Sequence, residues 1–182
     1  MPTAKEHAAR PLAERLERLA RTPDELAAAL GSRSDPELSR RPDGTNWSAK
    51  EIVCHLRDIE ELCVLRFRMM LAMDEPKVLA AGARPRNPAE WGVAGDELPV
   101  DPDRWAEERQ YLRCDTGAAL AAFRRRRQDS LDFLGRLTPA EWPRACLHVT
   151  LGRMTFSDWT AGMAGHDDTH LAQIERALQG RA

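Results

Sequence analysis

Lysine is nearly missing from this chain: only Lys5, Lys50 and Lys77 stand among 27 basic residues, and the rest are arginine. Acidic residues number 29, and the net charge of −2 lacks the basic surplus that a dedicated nucleic-acid binder carries. No nucleic-acid partner is therefore expected. No apolar run approaches the roughly 20 residues that a membrane span needs, so no membrane partner is expected either. The stretch MPTAKEHAARPLAERLERLA has no apolar heart of the kind a secretory leader has, which makes a cytoplasmic location the simple expectation. Cysteine is sparse, and Cys54, Cys63, Cys114 and Cys146 form no Cys-x-x-Cys pair. They read as reduced, mostly buried small apolar side chains. Cys146 and His148 make one Cys-x-His, a weak ligand signal on a segment that reads as loop or strand.

What remains is a chain of 182 residues, 42% hydrophobic and 31% charged, long enough for one domain with a real core. A single domain over 1–182 is expected. Its first helical segment spans Ala8 to Leu30, rich in Ala, Leu, Glu and Arg, with Leu12, Leu16, Leu19, Leu26 and Leu30 on one face. The TPDE at 22–25 either kinks it or restarts it, and Gly31 ends it. The clearest start signal is NWSAKEI, where Ser48 and Glu51 form a capping box and Trp47 can staple onto Ile52. That second helix runs to about Met73, with Ile52, His55/Leu56, Ile59, Leu62/Cys63 and Met69/Met70 inward. Residues 74–112 hold five of the twelve prolines and form a long connection, with Trp91, Trp105 and Tyr111 either at a pocket mouth or, the preferred reading, packed as satellite core. A third helix is expected from Thr116 to about Leu137. TPAEW at 138–142 repeats a cap, and CLHVTLGRMTF alternates weakly enough to suggest a short hairpin. The last helix is capped by Thr155 and closed by Gly180, with Phe156, Trp159, Met163, His166, His170, Ile174 and Ala177 inward. Four long helices with one apolar stripe each, and a long crossover between the second and third, predict an all-α four-helix bundle.

Three of the five histidines lie on or beside inward stripes: His55 on the second helix, His166 and His170 one turn apart on the last. His7 falls in a segment expected to fray and His148 in the loop before the last helix. A lone histidine on an apolar stripe is usually a hydrogen-bonded core residue. Three of them on two helices, one pair at i and i+4, favour a metal site, because neutral imidazole is the commonest ligand for late divalent metals. Three nitrogens with an open position is the coordination pattern of catalytic sites, able to lower the pKa of water or a thiol. The HExxH signature of the zincin proteases is absent, so a metalloprotease is not supported.

The pair NWSAKEIVCHLRDIE and MTFSDWTAGMAGHDDTHLAQIERAL resembles the DinB/YfiT-like superfamily of metalloenzymes, and DPDRWAEERQYLRCD and LTPAEW resemble its linking segments. The resemblance covers most of residues 10–180. It implies an up-down-down-up four-helix bundle, often a homodimer. A nickel or zinc ion would be held by His55, His166 and His170, with water completing the site. Characterised relatives include S-transferases that use bacillithiol and isomerases that use mycothiol, which implies a low-molecular-weight thiol as co-substrate beside a small-molecule substrate. The DNA-damage association of the family name is no evidence of DNA chemistry.

Among the neighbours, Asp58 and Asp167 could orient a histidine from behind, although a solvated helix charge is the plainer reading of each. The run Arg124 to Arg127 sweeps round a helix and cannot form one patch, yet Arg127 continues the step from Phe123 to Leu131. It could hold the carboxylate of an anionic thiol, or snorkel to the end of the bundle. The expected function is a metal-dependent transferase acting through such a thiol. The alternative is a non-catalytic, metal-stabilised bundle that binds a small ligand or a partner protein.

Overall fold

A computed structural model describes residues 2–182. In chain order its elements are α1 (Ala4–Ala8), α2 (Leu12–Leu30), α3 (Asp35–Ser39), α4 (Ala49–Ala72), β1 (Lys77–Val78), α5 (Pro102–Glu108), α6 (Thr116–Gly135), β2 (Ala145–His148), β3 (Gly152–Thr155) and α7 (Phe156–Leu178), with 3₁₀ turns at Pro88–Trp91 and Tyr111–Arg113. The caps explain the boundaries. Ser48 accepts from the Glu51 amide while Glu51 reaches back to Ser48, and Thr155 and Asp158 make the same box at the start of α7. Trp47 packs on the cluster that contains Ile52 and lays its ring 4.9 Å from that of His55.

The long helices α2, α4, α6 and α7 form the bundle. Both α4 and α2 pack against α6 and α7, so α2 stands diagonally across the bundle from α4 and α6 from α7, while the consecutive helices α4 and α6 are neighbours. Contact register gives the directions. Residues 57–60 of α4 meet 126–130 of α6, while Phe67 meets Phe133, so these two run parallel. His55 meets His166 and His170 whereas Phe67 meets Phe156, so α4 and α7 run antiparallel. The result is up-down-down-up, and residues 73–115 make the crossover that two parallel helices require. The hairpin expected near residues 146–156 is present as β2 and β3, with β1 added in parallel on the β2 edge.

Two expectations are corrected at the N-terminus. The first segment is not one helix from Ala8: α1 ends there, and α2 starts after Pro11, whose fixed φ suits the turn into a helix. His7 is not in a frayed end but fully buried, with Nε2 2.7 Å from Asp168 Oδ2. Gly165 of α7 permits this, because a Cβ there would stand 2.7 Å from the Ala4 amide nitrogen. At Pro23 the helix does not restart, since α2 runs unbroken from Leu12 to Leu30. A proline cannot donate to the carbonyl four residues back, and the freed Leu19 carbonyl accepts from Arg127 Nη1 at 3.0 Å instead.

The interior is layered. One apolar cluster gathers Leu26, Ile52, Leu56, Phe123, Leu171 and Ile174, and a second gathers Leu19, Phe67, Met70, Leu134, Phe156 and Trp159. Between them each bundle helix contributes polar side chains: Thr22, Glu60, Arg127 with Ser130, and Asp167 with Asp168. Arg127 joins Asp167 at 2.6 Å to Glu60 at 2.8 Å, Ser130 donates to Glu60, and Thr22 donates to Asp167 at 2.6 Å. All four helices meet in this layer.

Candidate metal centre

His55 on α4 and His166 and His170 on α7 come together where these antiparallel neighbours pack, and their ligand atoms all lie within 4.8 Å of one another. His166 Nε2 stands 3.4 Å from His55 Nε2 and 3.1 Å from His170 Nε2. Two nitrogens bound to one zinc in a tetrahedron, each about 2.0–2.1 Å from it, stand about 3.3 Å apart. These two separations are those of neighbouring ligands on one ion.

The protonation pattern fits the same purpose. Burial, with His170 and His166 beside it, pushes His55 down to about 2, and burial with His170 takes His166 to about 3. Burial also lowers His170. All three rings are neutral near pH 7, and neutral imidazole is the form that binds metal. Gln173 Oε1 accepts from His170 Nδ1 at 2.8 Å, which leaves the lone pair of His170 on Nε2, facing its neighbours. Three Nε2 atoms facing one another can share few protons among themselves, whereas a cation satisfies all three. The three-histidine cluster fits metal binding.

These side chains line a cavity of about 670 Å³. Its wall also carries Glu60, Arg127 and Asp167 from the polar layer, and Trp47, Arg66, His148, Met163 and Trp159. Of the sequence candidates, Asp58 and Asp167 are neither solvated nor bonded to a histidine. Asp58 is buried and accepts from Arg57 at 2.6 Å, and from Arg109 and the Tyr111 hydroxyl at 2.8 Å each. Burial alone would raise its pKa, but these partners hold it at about 2. Asp167 faces Arg127 and Thr22. Arg127 does point inward, yet its terminal nitrogens are engaged by Asp167, Glu60 and the Leu19 carbonyl, so no ligand carboxylate is needed to neutralise it. Its neighbours in the arginine run disperse: Arg124 pairs with Asp24, Arg126 with Glu61 and Asp58, and Arg125 is exposed. Trp91, Trp105 and Tyr111 do not line the cavity; Tyr111 is core, and Trp105 packs against the same cluster. All four cysteines are free and three are buried.

Sequence reasoning missed Gln173 and Arg66, and gave His148 only a weak ligand signal beside Cys146. Gln173 stands three residues after His170, a spacing that puts both on one helix face. Arg66 stands three after Cys63, on the inward stripe itself. His148 lies at the end of β2, not in a loop, and joins the cavity only through the sheet.

Comparison with known proteins agrees with this geometry. A family model described as the DinB superfamily matches residues 18–174. A protein of Oceanobacillus iheyensis, provisionally named a metal-dependent hydrolase, is 23% identical over 158 residues, covering 86% of this chain and 79% of its own. The solved structure of YfiT from Bacillus subtilis superposes with a TM-score of 0.74 at 20% identity, covering 94% of this chain and 89% of that one. YfiT is described as a probable metal-dependent hydrolase with an unusual four-helix bundle topology, and its likeness supports the fold.

Proposed function

This chain belongs to the DinB superfamily, and on that footing we propose that it is a metal-dependent enzyme that transfers a low-molecular-weight thiol to an electrophilic small molecule. The observation that carries the reading is the convergence of three neutral Nε2 atoms on the wall of a cavity roomy enough for two small reactants. His55, His166 and His170 would hold a divalent ion, nickel or zinc, both of which suit imidazole donors. Such an ion supplies Lewis acidity, which lowers the pKa of a thiol or water brought to it.

The chain's own residues do the rest. Gln173 fixes the His170 tautomer, Trp47 backs the His55 ring, and the polar layer holds α4 and α7 in register behind the histidines. In the reaction a carbon–sulfur bond forms at the electrophile, the thiol proton passes to solvent, and the leaving group departs. Thiol transfer is favoured over attack by water because the buried carboxylates on the wall are occupied. Glu60 and Asp167 are both held by Arg127, which leaves neither free as a general base for a weak nucleophile. A thiol, already more acidic than water, needs no such base. The second reading, hydrolysis, is supported by the names of the relatives.

The test begins with untagged protein. About one nickel or zinc per chain by plasma mass spectrometry, lost in His166→Ala, is expected. Consumption of bacillithiol or mycothiol with chlorodinitrobenzene should then be saturable, abolished by a chelator and restored by the metal. Ester cleavage without any thiol would replace transfer by hydrolysis. No bound metal, even after reconstitution, would overturn both.

A further inference from the structure

Arg66 lies on α4, three turns beyond His55, and only 9% of its surface is exposed. One of its donors goes to the Leu79 carbonyl at 2.5 Å, and its guanidinium sits 5.3 Å from the Trp159 ring centre. Among the described residues no carboxylate pairs with it. The acidic groups on the cavity wall are otherwise disposed: Glu60 and Asp167 are held by Arg127, Asp101 caps α5, and Asp103 is exposed. A guanidinium so far removed from water and left without counter-charge is costly, unless an anion completes it.

His148 supplies a second donor at the same end of the cavity. Its Nδ1 accepts from the Thr150 and Leu151 amides at 3.3 and 3.2 Å, so the neutral ring carries its proton on Nε2. That N–H has no hydrogen-bond partner among the described residues. The ring stands edge-on to Trp159, 5.8 Å between centroids. Trp159 thus contacts both the cation and the imidazole, and Met154 and Met163 give the adjoining wall an apolar surface.

We propose that Arg66 and His148 form a subsite for the carboxylate of an elongated organic acid whose other end reaches the three histidines. At about 1.5 Å per residue, His166 stands about 10 Å along α7 from Trp159, and His55 about 16 Å along α4 from Arg66. The reach of the arginine shortens that span, so the ligand is extended, with its charge and its reactive group at opposite ends. The nature of the reactive end rests on the thiol-transfer reading above. The anion subsite does not.

The test compares mercaptohexanoate with mercaptohexanol, which share a thiol and a six-carbon chain and differ in the charged end. Titration calorimetry on the full, metal-loaded chain should show the carboxylate binding about tenfold or more tighter. Arg66→Gln should erase that preference while metal content stays at the wild-type level, and Arg66→Lys should restore part of it. His166→Ala, probed with hexanoate against hexanol, should keep the preference without any metal. Equal binding of the wild-type pair, or binding of neither compound, overturns the subsite, and needs no variant to fold. A wild-type chain that takes up no metal even on reconstitution, yet prefers hexanoate to hexanol, leaves the subsite standing and removes the proposed function.

Discussion

At the residue scale, Gln173 decides how well the histidines can serve. Its carbonyl accepts from His170 Nδ1 and so fixes which nitrogen of that ring carries the proton. Gln173→Leu should weaken zinc or nickel binding by about 10–100-fold, the usual cost of losing a ligand's outer partner. Competition with a chromophoric chelator would measure it, and an unchanged affinity would show that the carbonyl is dispensable. The depressed histidines also make a pH prediction. The unfolded chain protonates these rings below about pH 6.5, while folded His55 stays neutral to about 2 and His166 to about 3. In that window the unfolded state binds more protons, so the stability of metal-free protein should fall as pH drops from about 6.5 toward about 3. Urea midpoints at about pH 7.5 and about pH 5.5 would show the decline, and His55→Gln should reduce it. Equal midpoints in the wild type would mean that the rings take up protons in the folded state.

At the element scale, the short helix α1 is held on α7 by a close approach rather than by a large apolar face. Gly165 is the reason it can sit there, since the Ala4 backbone occupies the space that a side chain would fill. Gly165→Ala should displace α1, break the contact between His7 and Asp168, and cost about 1–3 kcal/mol through overpacking. Thermal melting should record the loss, and limited proteolysis should show new cleavage within residues 2–10. A variant that melts like the wild type and stays uncut would mean that α1 shifts without consequence. The sequence could not announce this contact, because a glycine inside a helix carries no mark of what lies against it. The same blindness applies to Pro23, which reads as a break until Arg127 is seen to satisfy the carbonyl that it frees.

At the scale of the whole molecule, Arg127 is the point where the bundle is tied. It reaches α2 through the Leu19 carbonyl, α4 through Glu60 and α7 through Asp167, from its own place on α6. Arg127→Met leaves two buried carboxylates without their cation. The expected loss is about 3–5 kcal/mol, or about 10 °C in Tm for a chain of this size. A loss of only 1–2 °C, on the order of an exposed pair, would show that the layer relaxes around the gap. If the 182 residues fold as the single domain that the sequence leads one to expect, the wild type should unfold in one calorimetric transition. Added metal should raise its midpoint by mass action.

Periodicity and capping alone determined the four long helices, the crossover and the inward side of each stripe, because those signals act between residues a few positions apart. The start at Ser48, the cap at Thr155 and the inward side of His166 and His170 were all legible for that reason. Which helices become neighbours is not a local property. Only the packed bundle set α4 beside α7, so that His55 faces the other two histidines, and α2 diagonal to α4. Only packing turned Asp58 and Asp167 toward arginines, buried His7, and brought His148 from the sheet to the cavity that Arg66 also lines. A charge in a sequence shows its sign. Whether it meets water, a partner or an unfilled cavity depends on atoms that can be more than a hundred residues away, and tertiary structure alone brings those together.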